Sequence, residues 1–103
     1  MKWLLSDEAP DPWMRKLQRA LSHIAGGAGH LGASQYYAVV AIVAEGQTPR
    51  TSAQLLQQVF EVSFGQGYLD AGAMAELVGC AEIAKMRQAL AEWGYRQEDP
   101  PPP

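Results

Sequence analysis

The chain has 103 residues, 48% of them hydrophobic and 18% charged, a balance that supports one packed domain and excludes a natively unfolded chain. Eight Lys and Arg against eleven Asp and Glu give a formal net charge of -3, which argues against non-specific attraction to a polyanion. Cys80 is the only cysteine, so an internal disulfide is excluded and a reducing, cytoplasmic location is expected.

In chain order, Met1 to Leu5 is cut short by Ser6-Asp7-Glu8, too brief an apolar run for a secretory signal. Residues 1–10 read as a segment ahead of a helical domain spanning 11–96. Asp11-Pro12 predicts a helix start, because aspartate accepts from the first-turn amides and proline tolerates the first helical position. Trp13, Met14, Leu17, Ala20, Leu21 and Ile24 then recur on one helix face, with Arg15, Lys16, Arg19, Ser22 and His23 off it. Gly26-Gly27 ends this helix, and 26–32, with four glycines in seven residues, reads as a flexible connection.

Ser34 is expected to cap a second helix carrying the uninterrupted apolar run Tyr36 to Ala44. The β-branched content of this run would also suit a strand, but no second convincing strand is present to pair with it. A buried central helix is therefore expected, and the run is well short of the roughly 20 residues that span a bilayer. Glu45 to Pro49 reads as a turn. Thr51 or Ser52 caps a third helix reaching about Phe64, with Leu55, Leu56, Val59, Phe60 and Ser63 inward, and Gly65-Gln66-Gly67 breaks it. Asp70 is expected to cap a fourth helix to Val78, and Gly79 to end it with a positive φ. Ile83, Met86, Leu90 and Trp93 mark the inner face of a fifth helix, 81–93, stopped by Gly94. Residues 97–103 end in four prolines and read as a disordered proline-rich tail. The fold class is all-α: a small single-domain bundle of about five short helices.

The last two helices resemble a helix-turn-helix. Ala75 is the small residue that lets the helices approach, Gly79 turns the chain, and Met86 to Leu90 presents polar residues outward. The end, Arg87 to Arg96, is similar to the recognition-helix end of small winged-helix modules. The resemblance covers about a quarter of the chain. It departs from the pattern in a longer turn, in Lys85 at an apolar position, and in the lack of a wing. It implies duplex DNA as partner, contacted by Lys85, Arg87, Gln88 and Arg96, although Glu82, Glu92 and the acidic balance oppose phosphate.

Other constellations carry less. Gly27 to Ser34 has the spacing of a phosphate loop, but Ala33 stands where the lysine would reach the phosphates. His23, His30 and Cys80 are scattered over three segments without paired ligand spacing, so no metal and no cofactor are expected. Cys80 lies at a helix start with no candidate base, so no enzyme is expected. Trp3, Trp13, Met14, Met74, Met86 and Trp93 divide between core closure and an exposed anchor. The leading expectation is a non-catalytic protein-interaction module, such as an adaptor, inhibitor or accessory subunit. It would dock a protein partner through Trp3, Trp13, Arg15, Lys16 and Arg19, with oligomeric state left open.

Overall fold

A computed structural model of the chain describes residues 3–6, 12–73 and 77–96. It contains a strand β1 (Trp3–Leu4), then α1 (Pro12–Ala25), a single 3-10 turn at Gly26–Ala28, and β2 (His30–Leu31). Four helices follow: α2 (Ala33–Ala44), α3 (Pro49–Val59), α4 (Phe64–Ala73) and α5 (Cys80–Glu92). The chain is a helical bundle, and its only sheet among the described residues is the antiparallel pair of β1 with β2.

Helix α2 is the centre. Tyr36 and every residue from Ala38 to Val43 are buried, so the helix has no polar face and must be covered on all sides. Helices α3, α4 and α5 pack directly on it, and α1 closes the bundle against α3 and α5. Met14, Leu17, Ala20 and Leu21 are the buried face of α1, matching the spacing read from the sequence. Trp13 and Ile24 lie at its edges, half-buried against the core.

Several local expectations are corrected. Ser34 lies inside α2, whose cap is Gly32, with the Gln35 side chain accepting from the Gly32 amide at 3.1 Å. The cap of α3 is Thr48, whose hydroxyl accepts from the Thr51 amide at 3.1 Å, and Pro49 begins the helix. Neither Thr51 nor Ser52 caps it. The helix stops at Val59 because Phe60 turns extended and bridges to Leu5. Ser63 is exposed, and its hydroxyl accepts from the Gln66 amide as α4 begins, so Gly65-Gln66-Gly67 continues a helix rather than breaking one. Gly79 does not hold a positive φ: at φ -68 and ψ 150 it precedes α5 as its cap. The expected cap at Asp11, the expected helical positions Met74 to Glu76 and the expected tail 97–103 lie outside the described residues.

Asp70 is the largest departure. It lies within α4, 5% exposed, and caps nothing. Its carboxylate accepts from the Tyr36 hydroxyl at 2.5 Å and from the Gln66 amide at 2.8 Å, which pins α4 to the central helix. Burial, then the hydrogen bond to Asp70, push the Tyr36 phenol well above its ordinary range. Gly67 makes the other close contact. A Cβ placed there would sit 3.2 Å from the Ala53 Cα, so its lack of a side chain lets α3 and α4 meet backbone to backbone.

The segment 3–6 is stitched between two parts of the domain. Leu5 donates to Gly29, Ser6 donates to Val59, and Glu61 donates back to Leu4. Buried Gln18 closes the gap, donating to the Ser6 carbonyl at 2.7 Å and to that of Val59 at 3.4 Å.

These contacts predict that Asp70→Ala costs about 1 to 3 kcal/mol in urea denaturation, since it strands a buried hydroxyl. Combined with Tyr36→Phe it should cost less than the sum of the two single changes. Gly67→Val should cost about 1 to 3 kcal/mol by overpacking the contact between α3 and α4. Gly79→Ser, at a cap position with open space around it, should instead gain a few tenths of a kcal/mol.

Candidate functional site

Trp3, on β1, and Trp13, on α1, turn to different ring partners. Trp3 stacks on Tyr36 at 4.9 Å and meets Tyr37 edge-on at 5.5 Å, at the start of α2. Trp13 meets Tyr95 edge-on at 5.7 Å, beside the end of α5. Both indoles are half-buried and spend much of their area on the core. Lys16 and Arg19 are exposed and Arg15 is half-exposed, so the basic trio flanks α1 on its outer side.

The residues grouped on the last helix also separate. Lys85 and Arg87 are two positions apart, which puts them about 200° apart around the helix axis. Lys85 is 3.9 Å from Glu82 on its own helix, and Arg87 reaches across to pair with Glu45 after α2. Gln88 is exposed on the outer surface. Arg96 comes round beside Arg87, and these two line one cleft. Successive helices α4 and α5 pack against different neighbours, α4 chiefly on α3 and α5 chiefly on α2.

That cleft, about 650 Å³, lies between the C-terminal ends of α2 and α5. Ile42 and Leu90 supply apolar wall, and Glu45, Arg87, Tyr95 and Arg96 supply the polar groups. Tyr95 is 3% exposed and its hydroxyl is buried with no hydrogen-bond partner among the described residues. Burial pushes this phenol up to about 12, against the opposing pull of the Arg87 charge. The sequence offered no periodic signal for Tyr95. The chain reaches it through Gly94 at φ 94, with the Tyr95 amide returning to the Leu90 carbonyl at 2.9 Å.

A second feature was not anticipated: the outer face of α4. Phe64, Tyr68 and Leu69 are 39%, 48% and 67% exposed, and the Phe64 and Tyr68 rings lie 6.2 Å apart. Gly65 and Gly72 occupy the same stripe, which carries no charge, because Asp70 turns inward. Leu77, just beyond α4, is 70% exposed. Elsewhere, exposed Trp93 stacks flat on His23 at 4.0 Å and 6°. Trp93 thus covers a surface histidine rather than joining the core.

Cys80 opens α5 and is exposed. No three His, Cys, Asp or Glu converge as metal ligands among the described residues. None of their helices is long and apolar enough to cross a membrane.

The tyrosines make a pH prediction with a defined sign. A phenol whose folded pKa lies above its ordinary value of 10.0 stays protonated when the unfolded chain has already lost its proton. Its stabilisation is complete below pH 10 and lost as pH rises toward about 12. Urea midpoints should therefore fall between about pH 9 and about pH 11.5, and Tyr95→Phe should flatten part of that slope.

No family model, curated protein or solved structure matches the chain, so the functional reading rests on these surfaces.

Proposed function

We propose that the chain is a non-catalytic protein-binding module whose docking face is the outer surface of α4. The observation that carries this reading is the uncharged stripe of Phe64, Tyr68 and Leu69 on one helix of a small acidic protein. Large side chains held this far out of the core cost solubility unless a partner covers them. Rigid aromatics next to a protruding leucine are also the residue types that anchor interfaces. Gly65 and Gly72, with open space where a Cβ would stand, leave low ground beside that ridge, which suits the apolar face of a partner helix.

Two further observations support binding over catalysis or DNA reading. The polar cluster of buried Tyr36 and Asp70 with half-buried Gln66 is occupied by its own hydrogen bonds. Lys85 and Arg87 each face a carboxylate and lie on opposite flanks of α5, so they do not add up to a phosphate track. The first-helix surface of Trp13, Arg15, Lys16 and Arg19 is the competing docking site within the same reading.

The test is affinity capture from host extract, with a titration of duplex DNA at two salt concentrations alongside. Tyr68→Glu/Leu69→Glu should weaken capture of the partner at least about tenfold, and Arg15→Glu/Arg19→Glu should leave it unchanged. Capture lost only with the arginine changes would move the site to α1. Salt-sensitive DNA binding abolished by Lys85→Ala/Arg87→Ala would replace the reading altogether.

A further inference from the structure

The outer face of α4 is symmetric about its own midpoint. Gly65 and Gly72 are both exposed and lie two helical turns apart, so they share one line along that face, about 10 Å from each other. Tyr68 and Leu69 stand midway between them, about 50° to either side of the line. Read from either end, the face runs small, large, large, small at the same spacings. We propose, building on the docking face assigned above, that its occupant is a second copy of the chain, the two α4 helices packing antiparallel about a two-fold axis at Tyr68 and Leu69.

In that arrangement Gly65 of one copy lies opposite Gly72 of the other, while Tyr68 and Leu69 each meet their own counterpart. Open space stands where either glycine would carry a Cβ, so the two backbones can approach closely. A two-fold contact requires such a self-complementary patch, and a foreign helix has no need of the symmetry. Charge selects the same face. The chain carries a net -3, so two copies meet best where neither presents a carboxylate, and Asp70, the only acid of α4, is turned into the core. Helix α1, with Arg15, Lys16 and Arg19 and no Asp or Glu of its own, would repel itself. Area sets the strength. The exposed parts of Phe64, Tyr68 and Leu69 amount to roughly 300 Å² per copy. A standard interface takes about 800 Å² from each partner, so this dimer is a weak one, forming between about 10 μM and about 1 mM.

The test is sedimentation equilibrium of the full chain from about 5 μM to about 1 mM. The weight-average mass should climb from 11.2 kDa toward twice that value. Leu69→Glu and Leu69→Lys should each stay monomeric, and their equimolar mixture should dimerise again, because the axis brings the two positions 69 together. Gly72→Gln should keep or raise the melting temperature at the dilute end, as a better helix former at an open position, yet weaken dimerisation at least about tenfold. The proposal is overturned by a wild-type chain that stays monomeric throughout the range, by a dimer that survives both Leu69 changes, by a mixture that stays monomeric, or by undiminished dimerisation in Gly72→Gln. A monomeric wild type whose capture of a foreign partner is still lost in Tyr68→Glu/Leu69→Glu would overturn self-pairing alone. A monomeric wild type with capture indifferent to those changes would remove the docking face as well.

Discussion

A helix that is apolar on every side imposes its own surroundings. Exposing any face of α2 would put several of Val39, Val40, Ile42 and Val43 into water, at roughly 1.5 to 3 kcal/mol for each full side chain. In a chain of 103 residues the cover has to come from short helices arranged around it, and α3, α4 and α5 do this directly. The one polar group α2 carries into the interior, the Tyr36 hydroxyl, determines what α4 must contain. Asp70 is buried in a helix interior, where aspartate is disfavoured on propensity alone, because it answers that hydroxyl. Gln66, one turn earlier, occupies the second carboxylate oxygen. The register of α4 against α2 is therefore fixed by hydrogen bonding as well as by apolar fit.

Pinning α4 by its inner side has an outward consequence. The α4 face opposite Asp70 is held rigidly toward solvent, and it is the face that carries Phe64, Tyr68 and Leu69. A docking surface on a rigid element loses little conformational entropy when a partner arrives. The aromatic residues thus divide into two groups. Trp3, Tyr36 and Phe60 interlock, with Tyr36 and Phe60 edge-on at 5.0 Å, and close the core beneath the strand pair. Phe64 and Tyr68 remain outside it.

The sequence made the five helices legible, with α1 and α5 placed within a residue or so, because their apolar spacing and stop signals agree. The central helix was legible by elimination, since its composition alone fits a strand equally well. The longest misread stretch is 48–79, and the reasons are specific; the 26–32 connection, read as flexible, also holds a 3-10 turn and the strand β2. Thr48-Pro49 follows the same cap-and-proline logic as Asp11-Pro12, yet its position in a polar run suggested a turn. The glycines at 65 and 67 look like helix breakers, and only the neighbouring Ala53 backbone shows why Gly67 is wanted inside a helix. Asp70 matches a cap signature locally, and the partner that draws it inward is 34 positions away. Candidate site residues were harder still. Trp3 and Trp13 have the chemistry of an interface anchor, but their side chains are partly taken up by Tyr36 and Tyr95. Tyr95 carries no local signal, because its role depends on a turn through Gly94 that returns it to Leu90.

The stitch at residues 3–6 bears on the order in which the chain can be completed. One edge of this segment pairs with His30–Leu31, while its other edge waits for Val59 and Glu61, and the Ser6 hydroxyl bond to Gln58 spans 52 positions. On a growing chain the first edge is satisfied well before the second. For the roughly 1.5 to 6 seconds that synthesis of the intervening residues takes, the segment is a short strand with an open side. Such an edge is a template for pairing with other nascent chains on the same message. The pairing that closes this segment is thus a late one, since it cannot precede the completion of α3.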